Sequence, residues 1–220
     1  MTQTRRILPK TPWSAPAWWS LRPQSLAMLC FALILFGVGE GMLVNAALGS
    51  TPWTVLAQGI VVQSGLDIGT VTFLISAAVL MLWLPLRQRP GLGTILNMVL
   101  IAAVLGVFVQ WVSPPAALGW RLLQCVGGVV VIGMASSLYL TCYLGAGPRD
   151  GLMIGLCQKT GWRVGVVRTM IESSVCLTGW LLGGVVGLGT LLFAFGVGWV
   201  VQLSLQQIAK RYPQQPIEAV

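Results

Sequence analysis

Residues 48–53 read Leu-Gly-Ser-Thr-Pro-Trp, and residues 144–151 read Leu-Gly-Ala-Gly-Pro-Arg-Asp-Gly. Shifted by 96 positions, Leu48–Leu96 lies on Leu144–Leu192 without a gap, and 16 of the 49 positions are identical. The identities include Gly49/Gly145, Pro52/Pro148, Gly59/Gly155, Gly65/Gly161 and Gly69/Gly165, and Gly91-Leu92-Gly93-Thr94 recurs as Gly187-Leu188-Gly189-Thr190. Apolar bias scatters matching leucines and valines, but it does not match glycines and prolines. The chain therefore reads as a duplication.

Each copy contains a short apolar segment, Pro52–Gln63 or Pro148–Lys159. Both open with proline at the first helical position after Thr51 or Gly147, and glycine follows each end, which are helix start and stop signals. Twelve residues make a helix of about 18 Å, too short to cross roughly 30 Å of hydrocarbon. These segments are expected to be interfacial or re-entrant helices. Outside them, apolar runs predict six crossings: Leu26–Ala47, Ile68–Leu86, Gly93–Val112, Trp120–Leu144, Val164–Leu182 and Gly189–Gln206. The fold class is an all-α integral membrane protein with two repeats. Residues 1–25 form an N-terminal arm, 26–112 and 120–206 the two membrane repeats, and 207–220 a tail.

Composition agrees. Apolar residues make up 56% of the 220 and charged residues 8%, too few to cover a soluble surface, and mean hydropathy is +0.84. β-barrel strands would alternate over about ten residues, a pattern not found here. The net charge of +8 does not indicate nucleic acid, because the basic residues sit at the ends of apolar runs. The first apolar run is too long for a signal peptide and lacks a small-residue cleavage pattern, so it is expected to remain. Before it, the Pro- and Trp-rich arm (Pro9, Pro12, Trp13, Trp18, Trp19) is expected at the headgroup level.

Three crossings per copy would make the second copy enter from the opposite face. Charge tests this. Arg5, Arg6, Lys10 and Arg22 precede the first crossing, and the loop that follows carries no Lys or Arg. Arg87 and Arg89 mark the next turn, 113–119 has none, and Arg149, Lys159 and Arg163 fill the fifth connection. The sixth again has none, and Lys210 and Arg211 close the chain. The alternation places both termini in the cytoplasm and the repeats in inverted topology. Arg121 is the exception, expected to snorkel to the headgroups.

The Leu48–Trp53 and Leu144–Gly151 motifs, with Pro85-Leu86-Arg87-Gln88-Arg89-Pro90 leading into Gly91, resemble the YczE-like (YczE/YyaS/YitT-type) family of bacterial membrane proteins. The family commonly carries Asp after Pro-Trp, where this chain has Thr54. The resemblance implies a multi-pass protein of the bacterial plasma membrane.

Five acids are present, so each can be weighed. Asp67 and Glu218 are expected to be solvated. Glu40 lies within the first run, either as a proton- or cation-binding acid or as a structural glutamate among Gly37, Gly39 and Gly41. Arg168 and Glu172 are spaced to pair on one helix face, either as a neutral pair or as the charged lining of a cavity. Their repeat counterparts are Thr72 and Ser76. The short-helix starts, Thr51-Pro52-Trp53 and Gly147-Pro148-Arg149-Asp150, offer free N–H groups and partial positive charge to a ligand near the midplane.

No metal or cofactor is expected. Histidine is absent, and Cys30, Cys125, Cys142, Cys157 and Cys176 have no ligand spacing. Enzymatic motifs are absent too, so the chain is not expected to be an enzyme. The expected partners are the lipid bilayer and a small-molecule or ion substrate. The function read from this is transport, with an accessory or regulatory membrane protein, or a substrate-binding subunit of a multi-component importer, as alternatives. The oligomeric state is not encoded legibly.

Overall fold

A computed structural model describes residues 8–213. Arg5, Arg6 and Glu218 lie outside the described residues. Within them the chain forms α1 (Pro23–Ala46), α2 (Pro52–Ser64), α3 (Ile68–Met81), α4 (Trp83–Leu86), α5 (Leu92–Trp111), α6 (Leu118–Thr141), α7 (Pro148–Thr160), α8 (Val164–Leu181) and α9 (Leu188–Arg211). No strand occurs among the described residues.

The short helices α2 and α7 have the same length and limits 96 residues apart. Gly65 and Gly161 end them at the same left-handed geometry, φ +71° and ψ 6°, which a side chain would strain. The second expected crossing is interrupted at Leu82, just before Pro85. Proline has no N–H and its ring crowds the carbonyl four residues back, here that of Met81.

Five helical stretches are long and apolar enough to cross a membrane: α1, α3 with α4 (Ile68–Leu86), α5, α6 and α9. The fifth expected crossing is present as the 18-residue α8, but Arg168 and Glu172 lower its apolarity and it is not among the five. Large apolar side chains face outward on these helices, including Leu84, Trp111 and Phe195. In water such a surface would aggregate, whereas acyl chains solvate it.

The centre is built on α1 and α6, which cross closely where Gly39 meets Gly128. A Cβ on either glycine would come within about 3 Å of the other's carbonyl oxygen, the small-residue contact that membrane helices use. Gly37 and Gly41, a GxxxG pair on either side of Glu40, instead seat Val104 and Phe108 of α5. Beside this centre, α5 packs on α1, α9 packs on α6, and α2 packs on α8.

The recurring Gly-Leu-Gly-Thr run forms the joint between the halves. Gly93 N–H donates to the Leu144 carbonyl at 2.8 Å, and Gly189 N–H donates to the Leu48 carbonyl at 2.7 Å. The two bonds are the same bond with the halves exchanged.

Arg121 and the arm each cap a helix end. Arg121 Nε and Nη2 donate to the carbonyls of Ala46 and Ala47 at 2.7 and 2.9 Å, capping the end of α1. Unpaired carbonyls and the negative helix end draw the guanidinium inward. The arm likewise caps α6: Ala15 N–H donates to Cys142 O, and the Ser14 hydroxyl donates to Thr141 O. Trp18 and Trp19 remain exposed.

The halves differ in the packing of α3 and α8. In the first, α3 packs along α5, with Gly69 against Ala102 and Gly106. In the second, α8 does not pack along α9 in this way, and Gly165 and Gly198, the counterparts of Gly69 and Ala102, face open space.

Candidate functional site

The gap between α8 and α9 belongs to a cavity of about 430 Å³ that reaches the centre of the molecule. Nine of the ten residues singled out from sequence line it: Glu40, Thr51, Pro52, Trp53, Gly147, Arg149, Asp150, Arg168 and Glu172. Pro148 does not; its carbonyl accepts the indole N–H of Trp83 at 2.9 Å. Both short helices thus bring their first turns to one space from different halves of the chain.

The two starts are not chemically equal. Thr51 accepts the Thr54 N–H at 3.3 Å and exchanges a 2.8 Å hydroxyl bond with Thr54, so α2 is capped internally. Gly147 has no side chain with which to cap α7. The Thr at position 54, where the family motif has Asp, therefore completes a cap.

Glu40 is fully buried. Arg149 Nη1 donates to its Oε1 at 3.0 Å, and the guanidinium carbon lies 5.5 Å from the centre of the Trp53 ring. Charge attraction, a hydrogen bond and the ring's negative face all hold Arg149 inside. Arg149 is the one basic residue of its connection that is half-buried in the fold. Only Lys159 and Arg163, both exposed, occupy that connection's surface. The pairing links residues 109 positions apart, and local spacing could not disclose it.

Arg168 Nε donates to Glu172 Oε1 at 2.8 Å, as the i,i+4 spacing allows. The side chains are 54% and 29% exposed, so the pair lines the cavity and is not locked between helices. Asp150 is exposed to the cavity and makes no hydrogen bond or ion pair among the described residues. Glu40 Oε2 and Thr72 Oγ1 are buried without a hydrogen-bond partner. Asn97, Ser136 and Tyr139 also face the space. Sequence reading passed over Asn97 and Tyr139, although a polar group inside an apolar run was the available signal.

Comparison with known proteins places this chain in a family. A model described as a family of unknown function (DUF6198) matches residues 23–206. The chain belongs to that family. It is 50% identical to an uncharacterized protein of Haemophilus influenzae over 99% of this chain and all of that one. It is 33% identical to the uncharacterized membrane protein YczE of Bacillus subtilis, over 80% of this chain and 82% of YczE, and 24% identical to YyaS of the same organism over 73% and 82%. No solved structure matches. With its apolar helices, this makes the chain a multi-pass helical membrane protein.

Proposed function

We propose that the protein transports a small molecule or ion across the bacterial plasma membrane by alternating access, with its halves inverted and both termini cytoplasmic. The observation that carries this reading is the cavity, which gathers two helix starts and five charged side chains between equivalent halves of an otherwise apolar chain. Interrupted or short helices facing a midplane site are how inverted-repeat transporters hold their cargo.

The unequal halves support the mechanism. The second half is parted at Gly165 and Gly198, and the first is closed at Gly69 and Ala102. Exchanging these two conformations would close α8 onto α9 and part α3 from α5, so that the cavity opens to the other face. By the charge pattern the present opening is the cytoplasmic one, since Arg163 and Lys210 mark that side. The chain performs no catalysis in this scheme.

The test needs no substrate. With the five native cysteines replaced, a Ser136→Cys variant in oriented vesicles is exposed to a membrane-impermeant thiol reagent from either side. Alternating access requires labelling from both faces, faster from the cytoplasmic one. A disulfide between Gly165→Cys and Gly198→Cys should abolish the cytoplasmic route alone. Labelling from one face only rejects transport and favours an accessory role.

A further inference from the structure

The charges in the cavity do not balance. Glu40, Asp150 and Glu172 face it with Arg149 and Arg168, so three carboxylates meet two guanidiniums and one negative charge remains. Both guanidiniums are already committed, Arg149 to Glu40 and Arg168 to Glu172. Asp150 has neither a hydrogen bond nor an ion pair, and the buried Oε2 of Glu40 lacks a donor. A fully buried carboxylate oxygen without a donor carries a desolvation cost that a ligand N–H would relieve. What is missing on the walls is a positively charged donor, not an acceptor.

The remaining walls suit such a group on an organic body. Phe36, Phe193 and Tyr139 line the same space, and the Trp53 face is occupied by Arg149. Aromatic walls with an unpaired carboxylate are the chemistry that holds alkylammonium ions, and the volume lies within the range of small-molecule sites. An anion is poorly served, because it would have to displace Glu40 or Glu172 from its arginine. The start of α2 is capped, and the uncapped start of α7 already carries the Asp150 carboxylate in its first turn, which repels an anion there.

We infer that the cavity binds a small organic ammonium ion with N–H donors, shared between Asp150 and Glu40 Oε2. As the cargo of transport, this ligand rests on the function proposed above. As a binding site it stands separately.

The experiment is a thermal-shift titration of the purified full-length chain in potassium chloride at constant ionic strength. The probes are n-butylammonium, tetramethylammonium, sodium, butyrate and 1-butanol. n-Butylammonium should raise Tm most, and tetramethylammonium less because it has no N–H. Butyrate and butanol should be inert. Asp150→Asn should weaken n-butylammonium binding roughly ten- to hundredfold, the range for losing one hydrogen bond to a charged group. Should that variant not fold, the ordering of probes on the unaltered chain decides the matter. Stabilisation by butyrate, by sodium alone, or by no probe overturns the assignment. Two-sided Ser136→Cys labelling without ammonium binding would refute the ligand class and leave transport standing. Ammonium binding with one-sided labelling would do the reverse.

Discussion

At the scale of residues, the two ion pairs look alike on paper and should behave differently. Glu40 is fully buried and joins α1 to α7, so removing either partner strands a charge inside the membrane protein. Arg149→Met or Glu40→Gln alone should cost about 3–5 kcal/mol, and the double variant should recover most of that loss in a denaturation cycle. Arg168 and Glu172 sit one turn apart and partly exposed, so Glu172→Gln should cost only about 0.3–0.5 kcal/mol in the same measurement. Equal losses would mean that both pairs are buried structural bridges. Asp67 offers a pH test outside the spans. The Thr70 hydroxyl and then the Thr70 N–H bind its carboxylate and hold it below the usual Asp range. Its stabilisation is therefore complete above the unfolded Asp value of about 3.9 and fades as pH falls through the lower folded value. Asp67→Asn should keep the cap and flatten the pH dependence of Tm below about pH 4.

At the scale of elements, the halves use the same contact with the large and small residues traded. Trp83 and Gly179 are repeat counterparts, as are Gly151 and Val55. Both contacts join the halves: Trp83 of the first covers Gly151 of the second, and Gly179 of the second lies against Val55 of the first. A methyl group at residue 151 would enter the Trp83 ring, so Gly151→Ala should destabilise the protein by about 1–3 kcal/mol, with Trp83→Leu restoring part of it. No rescue would show that the two positions are not packed together. The interrupted α3–α4 element has a clear cause in Pro85. The missing α8–α9 packing has no local cause in the sequence; both Gly165 and Gly198 are free to permit it.

At the scale of the molecule, the arrangement makes a topological demand. Reporter fusions should place Arg87 and Arg163 in the cytoplasm and Ser64 outside. Ser64 and Arg163 on one side would end the inverted arrangement, whatever the cavity binds. Arg121 and Arg149 do not weigh against it, since each is drawn inward by a protein partner. The surface charges that remain, such as Lys159 and Arg163, are those the membrane can sense.

What the sequence determined by itself was local or periodic. Apolar run length set the helices, Pro52 and Pro148 set where the short ones begin, and Gly65 and Gly161 set where they end. The sequence repeat was legible because glycines and prolines answer to backbone geometry and stay in register when apolar residues drift. The residues of the cavity could be nominated one at a time, as polar groups that hydrocarbon would not tolerate without a partner. Tertiary structure alone decided that they meet. Arg149 reaches Glu40 across 109 residues, Gly93 reaches Leu144 as Gly189 reaches Leu48, and one half is parted where the other is closed. The reason is that the repeat dictates which residues are equivalent, not which copy they touch or in which of two packings. Those follow from helices competing for the same small-residue faces, and that competition is resolved only when all of them pack together.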